Sequence, residues 1–230
     1  MAPSTDTHVT SAGERTVEIS TGGVSLEGDL AIPEGARGIV LFAHGSGSSR
    51  QSARNRFVAE ELRRGGLGTL LLDLLTAEEE QVDLRTRHLR FDIDLLADRL
   101  IGAMRWFDGE DDTRGLPVGL FGASTGGGAG LVAAARRPDR VDAVVSRGGR
   151  PDLAGEELPH VRAPTLLIVG SEDSVVIELN KRAMMKMVAP VELAIVPGAT
   201  HLFEEPGTLE QVAELARAWF VQYLLVPART

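Results

Sequence analysis

The 230-residue chain is 43% hydrophobic, with a formal net charge of −9 and no cysteine, which is enough apolar content for one substantial core. The acidic balance argues against a nucleic-acid or anionic-membrane surface, since both need a basic patch. The missing thiols exclude a disulfide framework, a thiolate metal site and a cysteine nucleophile.

Residues 1–13 are polar and lack the basic start and apolar centre of a secretory signal. They read as a disordered lead-in, residues 14–230 as a single domain, and the protein as soluble and cytoplasmic. Thr16–Ser20 and Val24–Ala31 alternate around Thr21-Gly22-Gly23, which predicts an antiparallel hairpin at one sheet edge. Six short apolar runs follow: Gly38–Ala43, Gly68–Leu72, Val118–Phe121, Ala143–Val145, Thr165–Val169 and Leu193–Val196. Each is strand length, far short of a membrane span. Continuous apolar strands separated by helices predict a parallel sheet covered on both faces. A helix from Ser52 ends at Gly65-Gly66, and Leu89, Ile93, Leu96, Leu100, Met104 and Phe107 mark the core stripe of another. Thr208-Leu209-Glu210-Gln211 reads as a capping box opening a third, with Val212, Leu215, Trp219, Phe220 and Tyr223 as packing residues. Thr76–Thr86, with Glu78-Glu79-Glu80, reads as a solvated loop rather than a metal site.

The stretch that points to chemistry is Gly122-Ala123-Ser124-Thr125-Gly126, between the apolar run at 118–121 and a small-residue helix. In that setting G-x-S-x-G predicts a nucleophile elbow, a strand-to-helix turn so sharp that side chains two residues either side of the serine collide. Gly122 and Gly126 remove the clash, and Gly127, Gly128, Ala129 and Gly130 allow the helix to pack closely. The serine hydroxyl then stands beside a helix N-terminus, which favours negative charge.

An attacking serine needs a base, and the base a partner that fixes its tautomer. Of five histidines, His8 falls in the lead-in, His88 at a helix start and His160 in a loop, all read as surface residues. His44 sits in His44-Gly45-Ser46-Gly47-Ser48, where the glycines suggest backbone amides at work. His201 directly follows the last strand and projects from the same sheet edge as Ser124, so it is the expected base. The acid must come between serine and histidine, past a strand end. Glu172 and Asp173 both qualify, and the residues alone separate them only weakly.

These residues carry a resemblance. His44-Gly45-Ser46-Gly47, Gly122–Gly126, Asp173 and His201, in that order, resemble an α/β-hydrolase of the dienelactone-hydrolase-like group, over roughly residues 17–225. The resemblance implies a mostly parallel eight-stranded sheet with helices on both faces and minimal or no cap domain. It favours Asp173 over Glu172 and implies oxyanion amides at Ser46 and Thr125. It implies an esterase that needs neither cofactor nor metal. Dienelactone hydrolases use a cysteine nucleophile where this chain has Ser124, which makes ordinary ester hydrolysis the expected reaction alongside lactone cleavage. The blocks Asp73–Thr76, Ser146–Leu153 and His201–Gly207 resemble a subgroup sometimes fused to phosphoribosyltransferase domains.

The expected partner is a small ester or lactone bound in an open, shallow site, because no long insertion follows the sixth strand. His44, Gly45, Arg50 and Arg147 are the candidate substrate-binding residues. Arg147 is read either as meeting a substrate anion or as pairing with Asp152 or another local carboxylate, with Arg50 a second anion candidate. An uncovered sheet edge leaves homodimerisation open. The alternative readings are a perhydrolase using the same triad and a catalytically silent scaffold that binds a partner.

Overall fold

The computed structural model describes residues 13–225, so the lead-in expected at 1–13, with His8, lies outside the described residues except for Gly13. Two antiparallel strands, β1 (Glu14–Thr21) and β2 (Val24–Ala31), form the edge hairpin. Their two-residue turn uses Gly22 (φ 57°) and Gly23 (φ 81°), the left-handed pair a tight hairpin needs. Then come β3 (Ile39–Ala43), β4 (Gly68–Leu72), β5 (Val118–Ala123), β6 (Ala143–Arg147), β7 (Thr165–Gly170) and β8 (Val191–Val196). The sheet order is β1-β2-β4-β3-β5-β6-β7-β8, parallel from β4 to β8.

Alternation along each strand divides the core in two. Ile39, Leu41 and Ala43 face a cluster built with α3 (Ile93–Gly109) and α4 (Thr125–Arg136). Val40 and Phe42 face one built with α1 (Ala53–Arg64) and α6 (Thr208–Phe220). Phe42 and Phe121, register partners on β3 and β5, pack with ring centroids 4.8 Å apart beneath the elbow. Such pairs contribute about 0.5–1.5 kcal/mol beyond area burial. Helix α5 (Ser174–Met184) joins β7 to β8.

Two expectations change. The segment read as a solvated loop is largely a helix, α2 (Ala77–Thr86), followed by a 3-10 turn at Leu89–Phe91. Its start is a true capping box: the Thr76 hydroxyl accepts the Glu79 N–H, and the Glu79 carboxylate accepts the Thr76 N–H. The box expected at Thr208 is absent. Gly207 (φ 80°) is the N-cap, and the Thr208 hydroxyl instead donates to the Glu205 carbonyl at 2.7 Å. The connection after β6 is a compact 3-10 segment, Pro151–His160, with no helical cap.

Candidate active site

Ser124 occupies the turn between β5 and α4 with φ 50° and ψ −120°, a conformation that costs a side-chain-bearing residue about 1–3 kcal/mol. The surroundings hold it there. Its N–H donates to the Arg147 carbonyl at 3.2 Å, and its carbonyl accepts the N–H groups of Gly127 and Arg150, each at 3.0 Å. The glycines are needed for contact: a Cβ on Gly122 would stand 2.5 Å from the Gly126 carbonyl oxygen, and one on Gly126 would stand 2.3 Å from that of Ala43. Gly127 permits close approach to the end of β6 (2.5 Å to Ser146 Oγ) and Gly128 to the segment after it (2.8 Å to Arg150 O), whereas Gly130 has ordinary room.

His201 follows β8 through Pro197–Thr200, and its Nδ1 lies 2.6 Å from Asp173 Oδ2. A carboxylate only accepts, so Nδ1 carries the proton and the Nε2 lone pair remains available. Asp173 sits at the start of α5, its side chain 15% exposed. Glu172 is exposed and accepts from the Ser171 hydroxyl, so the histidine's carboxylate partner is Asp173. The histidine loop is latched by Glu205, which accepts the Thr200 N–H and hydroxyl, and by Phe203, buried with φ 56°. The Thr200 hydroxyl and backbone bonds hold the Glu205 carboxyl below its usual range.

Gly148 brings the two halves together. It follows Arg147, whose carbonyl takes the Ser124 N–H, and a Cβ on Gly148 would stand 3.5 Å from the His201 ring. Ser124 Oγ forms no hydrogen bond among the described residues.

The loop after β3 approaches from the other side: a Cβ on Gly45 would lie 3.1 Å from Ser124 Cβ. His44 supports this loop. Its Nδ1 lies 3.0 Å from the Gly45 carbonyl and its Nε2 accepts the Leu74 N–H at 3.1 Å. Only the neutral Nδ1–H tautomer satisfies both bonds. Burial holds the His44 imidazole below its usual pKa, against the Gly45 carbonyl and the Asp73 and Glu80 charges. The folded state therefore binds this proton less readily than the unfolded chain does. The resulting stability is fully present above about pH 6.5, the ordinary histidine value, and is lost as pH falls through the window below it. Denaturant titrations at pH 7.5 and 5.5 should show His44→Gln losing less stability on acidification than wild type; equal losses would show that His44 stays uncoupled from folding.

The Ser46 and Thr125 N–H groups have no backbone acceptor among the described residues. They flank a cleft of about 400 Å³ lined by His44, Gly45, Ser48, Leu75, Leu84 and Arg90 among others. Sequence reasoning missed its far wall, which α2 and the turn after it supply. The Asp83 carboxylate is buried there, taking the Leu89 and Arg90 N–H groups and the Arg90 guanidinium. The Thr76-x-x-Glu79 spacing was the available signal.

Both arginine expectations need correction. Arg50 has no guanidinium free for a substrate anion, because Glu27 (2.7 Å), Asp29 (3.3 Å) and Asp73 surround it. Burial works against that charge and the three carboxylates outweigh it, which raises its pKa. Arg147 does not pair with Asp152. Arg150 does so bidentately, at 2.8 and 2.7 Å, while Arg147 turns to the opposite sheet face beneath Phe203 and does not line the cleft.

Residues 26–224 match the dienelactone hydrolase family. The chain belongs to that family. A dienelactone hydrolase structure from Anabaena variabilis is 64% identical, with a TM-score of 0.90 over 92% of this chain and 98% of that one. Est1E from Butyrivibrio proteoclasticus shares the fold at 16% identity, with a TM-score of 0.76 over 90% of this chain and 98% of that one. Mycobacterium tuberculosis proteins that carry the provisional name phosphoribosyl transferase are 60% identical over 211 residues, 92% of this chain and 47% of their own. The chain thus spans about half the length of these curated relatives. It combines membership of the dienelactone hydrolase family with an α/β-hydrolase fold. No helix among the described residues is long and apolar enough to cross a membrane.

Proposed function

We propose that this dienelactone hydrolase family member is a serine hydrolase that cleaves small carboxylic esters or lactones through an acyl-serine intermediate. The observation that carries the reading is the 2.6 Å His201–Asp173 hydrogen bond at the sheet edge that also holds the strained Ser124 turn. Ser124 Oγ attacks the carbonyl carbon as His201 Nε2 takes its proton, which requires the two atoms within hydrogen-bond reach in the reacting complex. Asp173 keeps the imidazole in the accepting tautomer and stabilises its cation. The Ser46 and Thr125 amides receive the oxyanion, and losing such a donor typically costs about 2.7–4 kcal/mol of barrier. The alcohol leaves with the proton from His201. Water then attacks the acyl-serine, again giving its proton to Nε2, and releases the acid. A cleft of about 400 Å³ suits a small substrate.

A fluorophosphonate probe tests the nucleophile directly. Incubation with the folded chain should give one covalent adduct, located by peptide mass spectrometry at Ser124. An unlabelled folded protein would favour the silent partner-binding scaffold, and a label on another residue would move the site.

A further inference from the structure

Arg147 is 8% exposed and has no carboxylate in ion-pairing range among the described residues. Its Nη2 reaches Asn55 Oδ1 at 3.5 Å, its Nη1 is buried without an acceptor, and its guanidinium carbon lies 6.0 Å from the Phe203 ring centroid. Burial, then the neighbouring Arg54 charge, pulls its pKa down to about 10, so it is still a cation at neutral pH. An ion buried without a counter-charge is strongly unfavourable.

Arg54 brings a second guanidinium. Its Nη1 meets Glu204 at 2.9 Å on the solvent side, but its Nε is buried with no acceptor. Arg54 and Asn55, which Arg147 reaches, belong to the first turn of α1, where the Ser52 hydroxyl caps the Asn55 N–H and the helix dipole favours negative charge. Two neighbouring guanidinium groups, each with a buried N–H that has no acceptor, therefore stand beside the first turn of α1. The acceptors seen there are the Asn55 amide oxygen, the Ser52 hydroxyl already engaged by the Asn55 N–H and, at the rim, Glu204. Water bound there would have to direct its own hydrogens at a largely donor lining, whereas an oxyanion accepts from every side.

We propose that Arg147, Arg54 and the first turn of α1 form a binding site for a small oxyanion of the phosphate or carboxylate class, behind the His201 loop and apart from the cleft that Ser46 and Thr125 flank. Neither arginine lines that cleft. Entry is from Arg54, whose side chain is 34% exposed. The occupant neutralises Arg147 and braces Phe203, two residues beyond His201, without touching the reacting atoms.

The test is titration of the full chain with sodium phosphate, sodium acetate or sodium chloride at fixed ionic strength, followed by thermal shift and calorimetry. Phosphate or acetate should raise Tm saturably. The apparent affinity should weaken about tenfold or more in Arg54→Gln and vanish in Arg147→Met. Arg137→Gln, whose guanidinium meets Asp139 at the surface, should bind like wild type. If Arg147→Met does not fold, the Arg54→Gln comparison decides. A saturable response to chloride alone, no saturable response to either oxyanion, or equal affinity in Arg54→Gln and wild type each overturns the proposal. Binding is read without turnover, so the result stands apart from that for ester hydrolysis.

Discussion

Ser124→Ala is expected to lower kcat for a short nitrophenyl ester by about a millionfold, the scale seen when a triad serine is removed, while leaving the residual contribution of binding and oxyanion donors. The fold should survive. Alanine at φ 50° and ψ −120° is strained much as serine is, and the lost hydroxyl leaves no former hydrogen-bond partner stranded. We therefore expect a stability change within about 1 kcal/mol, or roughly 2–4 °C in Tm for a domain of this size. The measurement is initial rate on purified protein with a melting curve on the same sample. Turnover within a few fold of wild type would remove the acyl-serine scheme, however good the rest of the geometry.

The second large effect concerns the acid. With Asp173 ionised, His201 carries its proton on Nδ1 and presents a lone pair at Nε2. Asp173→Asn keeps the shape but places an amide opposite the ring. If the amide N–H faces Nδ1, the proton moves to Nε2, and the histidine then meets Ser124 as a donor that cannot accept its proton. An equivalent substitution in a serine protease lowers kcat about ten-thousandfold, and a loss of that order is expected here. The side chain makes no capping bond to α5, so helix stability should be nearly unaffected. Glu172→Gln is the control, since Glu172 faces solvent beside Ser171, and should stay within a few fold of wild type. Comparable losses in both variants would mean that charge near the loop, rather than the hydrogen bond to His201, matters.

The strands were legible because buried parallel strands are continuous apolar runs of fixed length. The elbow was legible because its glycines answer to contacts under 3 Å that any larger residue would violate. Helix α2 was not, since its only buried residue is the charged Asp83 and it offers no apolar stripe. It is held by a capping box and by Asp83 itself, and the motif that betrays it was sought at Thr208 instead. The arginines were opaque for a different reason. Arg147 and Arg150 are three residues apart and both near Asp152 in sequence, and only the strand's alternation, which sends Arg147 to the α1 face, decides between them. The carboxylates around Arg50 come from β2 and from the end of β4, 21 to 23 positions away from it, and no local pattern announces them. Asp173 separated from Glu172 once the loop after β8 was in place.

That loop hangs from a marginal support. Among the described residues β8 pairs on one side only, with β7, and most of its residues are partly open to solvent, whereas Ser124 springs from the fully buried β5. Fraying of a peripheral ribbon takes less free energy than opening a central one. The proton acceptor is therefore carried by a weaker part of the scaffold than the attacking oxygen, and heat inactivation and global melting become separable events, in that sequence.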